Sequence, residues 1–189
     1  MKTELRKKLY EETKEKHEKV ENTFNFSEGI SNSKLEVFYK SILKSRIKYQ
    51  ELFQELEKQL LLETFNSHLI SSLQKDLKDF DTDIETAKPN KELNSNSFAI
   101  GVFYVFAGSA MGARLLQKMA LEHNPPFHSN YITELINTSK SQMKSLGSLL
   151  SNDNLIEKEV IEGANEAFST INKYANLEYK RKHKSIESA

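Results

Sequence analysis

The sequence predicts an all-α protein, and three observations carry that prediction. Glycine and proline are scarce, at 6 and 3 of 189 residues, while Glu, Lys, Leu and Ser dominate. Strong helix formers thus meet few breakers. Apolar residues recur at three- and four-residue spacing over long stretches. The clear turn signals fall between those stretches. A chain of 189 residues suits one domain with a single core.

The first helix is expected over Lys2 to Glu21. Leu5, Leu9, Thr13, His17, Val20 and Phe24 form one stripe, which places His17 on the inward face. Most of the remaining residues are Lys and Glu, the composition of a solvated face. A turn follows at Phe26 to Gly29. Ser33 with Glu36 reads as a capping box. It opens a long helix that carries Leu35 to Leu56 and ends near Glu63. A shorter helix spans Ser67 to Lys78, and the polar stretch Asp79 to Asn96 reads as a loop. Phe98 to Glu122 is the least polar helix, stopped by Asn124-Pro125-Pro126. Its apolar run, Phe98 to Ala113, is shorter than the roughly 20 residues of a membrane span, so a buried helix is expected. Two further helices are expected at Ser129 to Leu150 and Asn154 to Tyr179. Lys180 to Lys184 reads as a solvated basic tail, so the domain is drawn over 1–180 and a polar tail over 181–189.

Composition removes several function classes. Lys plus Arg and Asp plus Glu both number 27, which lacks the basic excess of a nucleic-acid binder. There is no cysteine, so thiolate ligands, iron–sulfur clusters, disulfides and a cysteine nucleophile are excluded. The charged N-terminus shows no signal-peptide pattern, and a cytoplasmic location is expected with no membrane partner. His17-Glu18-Lys19-Val20-Glu21 lacks the second histidine of a zinc-protease helix. No Glu-x-x-His pair, P-loop or Gly-x-Ser-x-Gly elbow occurs.

Two features remain. Glu21 follows His17 at i+4, where a carboxylate can orient an imidazole and raise its strength as a ligand. An ordinary surface pair has the same spacing. Half of all the glycines, Gly101, Gly108 and Gly112, lie in the Phe98 helix. Each costs about 1 kcal/mol against alanine in a helix interior. Gly108 and Gly112 open a groove on one face that would receive either a close-packed helix or a flat ligand.

These residues resemble a family. Leu9 to Asn22 is similar to the first helix of heme oxygenases, with the proximal histidine and a glutamate four residues on. Tyr104 to Ala113 resembles the bacterial form of their glycine-containing distal helix. Lys140 to Leu146 and Val160 to Phe168 resemble their last two helices. The likeness spans Leu5 to Tyr174. It implies a helical fold with heme between the first helix and a kinked distal helix. It also implies His17 as the iron ligand, Glu21 as its partner, and Gly108, Ser109 and Gly112 at the distal face. Tyr104 and Lys140 would meet heme propionates. So would Tyr10, which stands where the family carries a basic residue. Ala107 stands where the family carries a glutamate. The implied activity is oxidative opening of heme to biliverdin, with release of CO and iron. It would use O2 and an external electron donor such as a ferredoxin, flavodoxin or reductase. The two departures leave a heme carrier or sensor without efficient turnover as the alternative, and a helical interaction protein as a third reading.

Overall fold

The computed structural model describes residues 2–59, 65–78, 95–123 and 129–187. Their regular elements are helices throughout, with no strand among the described residues. In chain order these are α1 (Lys2–Phe24), a single 3-10 turn (Phe26–Glu28), α2 (Asn32–Lys48), α3 (Gln50–Gln59), α4 (Phe65–Lys78), α5 (Asn96–Glu122), α6 (Asn130–Leu149) and α7 (Glu157–Glu187).

The apolar stripes read from the sequence meet in one core. Leu9, Leu35, Leu43, Leu69, Leu73, Val102, Phe106, Ile132, Leu135, Leu146 and Val160 are all fully or nearly fully buried. Each large aliphatic side chain of this kind contributes about 1.5–3 kcal/mol through burial. Helix α5 packs on α6 and α7; α1 and α2 lie on α7; α4 bridges α2 and α6. The α5–α7 crossing depends on two glycines. A Cβ on Gly101 would fall 2.8 Å from the Ala164 backbone nitrogen and closer still to the Val160 carbonyl oxygen. A Cβ on Gly163 would likewise strike the Phe98 carbonyl. Backbone meets backbone here, so neither side can yield.

Polar groups fix the helix ends. Ser95 and Ser129 cap α5 and α6, accepting from the Phe98 and Ile132 N–H groups at 3.2 and 3.1 Å. Asp76, buried at the end of α4, accepts from Ser129 Oγ, Asn130 N, Asn130 Nδ2 and Tyr131 N at 2.8–2.9 Å. One carboxylate therefore satisfies free donors at the start of α6, where the helix dipole also favours it.

Four expectations are corrected. Helix α2 is capped by Ser31, which accepts from Lys34 N at 3.2 Å. Ser33 lies inside the first turn, and Glu36 pairs with Lys40 and Lys182 rather than closing a capping box. The long second helix is interrupted at Tyr49 (φ −99°, ψ 14°). Ser41 and Ser45 bond back to the carbonyls four residues before them, which bends helices. Tyr49 is held at the bend by a 2.9 Å bond to Thr170. The expected end near Glu63, most of the loop at Asp79 to Asn96, and Asn124 to Pro126 lie outside the described residues. The basic tail is helical: α7 continues to Glu187, and Lys182 within it pairs with Glu36 on α2. Finally, α5 is 27 residues long and has an 18-residue stretch of mean hydropathy 1.5. By length and composition it could cross a membrane, contrary to the shorter run read from sequence. In this structure 56% of that stretch is buried inside the protein.

Candidate functional site

The stripe on α1 is buried at Leu5, Leu9 and Thr13, opens at His17, is half-covered at Val20 and closes at Phe24. His17 is therefore not inward as the spacing implied; its side chain is 54% exposed. The reason is geometric. Helix α1 rests on α7, and at His17 the ring lies against Phe168 in a T-shaped arrangement, with ring centres 5.5 Å apart and planes at 87°. Glu21 stands at i+4 with its carboxylate 3.6 Å from His17 Nδ1. That is longer than a hydrogen bond. The pair is an electrostatic neighbour contact that a small rotamer change or a bridging water would tighten. The Nδ1 side faces the carboxylate, which leaves Nε2 on the side of the ring away from it.

Helix α5 contributes the second half of the site. Tyr104 is half-buried beside Thr13 of α1, whose own hydroxyl donates to the Leu9 carbonyl at 2.6 Å. Burial raises the Tyr104 pKa, while the Arg6 charge and the Thr13 hydroxyl oppose that rise and Tyr10 adds to it. Tyr104, Thr13, Tyr10 and Arg6 thus form one group where α1 and α5 meet. Arg6 was not singled out in the sequence, although it precedes Tyr10 by one helical turn and shares its face. Tyr10 is 61% exposed.

One turn beyond Tyr104 on the same face of α5 come Gly108, then Met111 and Gly112, then Leu115. A Cβ at Gly108 or Gly112 would meet nothing within 4 Å. Among the described residues no helix packs into the groove these glycines open; the close helix packing is at Gly101 and Gly163. Beside the open glycines, Met111 is 74% and Leu115 62% exposed. Ser109 is exposed and donates to the Phe106 carbonyl at 2.6 Å, within its own helix. Ala107 is fully buried, so a glutamate at that position would point into the core.

Tyr104 lies near Thr13, Tyr10 and Arg6 of α1, whereas His17 and Glu21 pair one turn further along α1, where His17 meets Phe168 of α7. The glycine face continues from Tyr104. Lys140 is not part of this group: it is exposed on α6, and no hydrogen bond or ion pair joins it to the α1–α5 residues. Among the described residues, no three His, Asp or Glu side chains converge as a metal site. His17 could therefore hold a metal only as one ligand of a complex that brings its own others. No protein-family model matches this chain, and no curated protein matches it.

Proposed function

We propose that this chain binds heme between α1 and α5 in a heme-oxygenase-like arrangement and opens the porphyrin to biliverdin with release of CO and iron. One observation carries the reading. Tyr104 of α5 lies beside Thr13 of α1, and among the described residues positions further along each helix are uncovered, at His17 on one and at Gly108 and Gly112 on the other. The residues present fit such a ligand. A single imidazole suffices because the porphyrin supplies four nitrogens. Met111 and Leu115 offer apolar contact to the macrocycle. Tyr104, Tyr10 and Arg6 offer donors and positive charge to propionates, and glycines let the ring approach the backbone.

Heme, as the substrate, also supplies the oxygen-activating iron; the protein supplies position and access. His17 would bind iron through Nε2, with Glu21 favouring the tautomer protonated at Nδ1. A neutral imidazole pushes less electron density onto iron than a thiolate, which disfavours early O–O cleavage. No side chain on the glycine face is an acid, since Ser109 donates into its own helix. Protons would therefore come through water, and electrons from an external donor.

That same lack of polar groups, with Ala107 buried, favours a second reading: a heme carrier or sensor of the same architecture. One experiment separates the two. Hemin is titrated into the purified protein, and ascorbate is then added in air. The enzyme reading expects a Soret band that forms at one equivalent and disappears as bilin absorption rises. A persistent Soret band supports the carrier. No Soret shift on titration defeats both.

A further inference from the structure

Behind α5, on the side away from the glycine face, Arg46 is buried to 2% exposure. Its guanidinium lies 4.8 Å from the centre of the Phe106 ring and 5.7 Å from that of Tyr131. Nη1 donates to Asn66 Oδ1 at 3.0 Å. Nε and Nη2, the two adjacent donors of the side-on fork, have no partner. Buried donors left unpaired are unfavourable, and those of a charged group most of all. Arg46 borders a cavity whose other polar lining residues are Glu57, Asn66 and Gln142, with Phe53 and Phe103 among its apolar walls. The cavity leaves about 10 Å³ for the centre of a water molecule, close to the room one water requires.

The lining decides what the occupant must be. Arg46 presents two donors. Glu57 accepts from Asn66 N at 2.9 Å through one oxygen and has acceptor capacity to spare. Gln142 donates one Nε2 hydrogen to Thr138 Oγ1 at 2.8 Å, which leaves its carbonyl oxygen as an acceptor beside a second N–H. An occupant that satisfies both Arg46 donors and the Glu57 and Gln142 oxygens accepts twice and donates twice. An anion cannot donate to Glu57 and Gln142, and a cation would oppose Arg46. We propose that this cavity is a built site for a single water molecule. It accepts from Arg46 Nε and Nη2 and donates to Glu57 and Gln142. The water completes a bridged ion pair joining α2, α3 and α6 behind α5. The site is independent of heme binding.

The test is diffraction from crystals soaked in sodium bromide, to a resolution that shows ordered waters. The expected result is one water peak within about 2.7–3.2 Å of both Arg46 nitrogens, with no anomalous bromide signal there. Bromide in the cavity, or Arg46 and Glu57 in direct contact with the cavity closed, overturns the proposal. In solution, ¹⁵N-labelled protein should show the Arg46 Nε–H cross-relaxing with a long-lived water, the signal being assigned by its loss in Arg46→Lys. Gln142→Leu should weaken that cross-peak several-fold. An undiminished cross-peak in a folded Gln142→Leu protein overturns the four-bond assignment. If that variant does not fold, the wild-type crystal and cross-peak still decide.

Discussion

Replacing glycines of α5 one at a time should separate those that pack helices from those that leave a face open. At Gly108 and Gly112 an added Cβ meets nothing within 4 Å. Alanine there recovers about 1 kcal/mol of helix propensity with no steric charge against it. For a chain of this size, 1 kcal/mol moves the thermal midpoint by about 2–4 °C. Gly108→Ala and Gly112→Ala should each raise Tm by about that amount, and the double variant by about twice it. Gly101→Ala gains the same propensity, but its Cβ collides with Val160 and Ala164 backbone atoms. Overpacking of this kind costs about 1–3 kcal/mol or more where neighbours cannot yield. A net loss near 2 kcal/mol, or roughly 4–8 °C, is expected. Circular dichroism melts of the ligand-free proteins read these shifts. Hemin titration supplies the second axis: Gly108→Leu should weaken hemin binding at least tenfold while the protein stays folded. A drop in Tm for Gly112→Ala would show the face to be covered. Unchanged hemin affinity in Gly108→Leu would remove the glycine face from the site.

Other outcomes follow from single contacts. His17→Ala should abolish the heme Soret signature while changing stability by less than about 0.5 kcal/mol, because the side chain is mostly exposed; an unaltered heme spectrum would remove His17 as ligand. Asp76→Ala should cost about 3 kcal/mol or more in a urea melt, since four donors at the start of α6 lose their acceptor together. Lys44→Met should cost about 3 kcal/mol by leaving Glu178 buried, the low end of the range because Arg181 remains 3.5 Å away. Adding Glu178→Leu should recover most of that loss. At Glu36, burial alone would raise the pKa, but hydrogen bonds from Lys182 and Lys40 outweigh it and hold the carboxyl below its ordinary value. Its stabilisation is present above the unfolded carboxyl pKa and fades as pH falls through the lower folded value. Glu36→Gln should therefore lower Tm near neutral pH and flatten the acid limb below about pH 4.5, where wild type and variant converge.

Much of the helix map was legible because local rules decide it. Ser95 and Ser129 sit just before apolar periodic runs, and both act as caps. The misplaced features depend on partners distant in sequence. Ser31 and Ser33 are equally good caps by type, and only the chain's entry from Gly29 chooses between them. The bend at Tyr49 needs Thr170 on α7. Lys180 to Lys184 has the composition of a tail, yet it stays helical with Glu36 of α2 available to Lys182. The exposure of His17 could not be read from its stripe, because periodicity gives direction on a helix and not whether a neighbour stands there. The glycines divide for the same reason: spacing marks Gly108 and Gly112 as a groove, while the close crossing is made by Gly101 with Gly163.

The proposed site also explains why α5 keeps features that packing alone would remove. Gly101 forfeits helix propensity, but the α5–α7 approach it permits recovers that loss through buried contacts. Gly108 and Gly112 forfeit the same energy and recover none of it in the protein by itself. Met111 and Leu115 next to them stay in water, each giving up burial worth about 1.5–3 kcal/mol. Alanine and lysine at these four places would serve helix stability better. A flat, largely apolar ligand turns all four deficits into contacts at once: backbone approach at the glycines and area burial at Met111 and Leu115. A helical partner would use the apolar pair and the groove, but it would leave unexplained the imidazole that opens on the adjoining α1 stripe. The histidine has Glu21 beside it but belongs to no group of three His, Asp or Glu side chains among the described residues, which favours a ligand carrying its own metal over a protein partner.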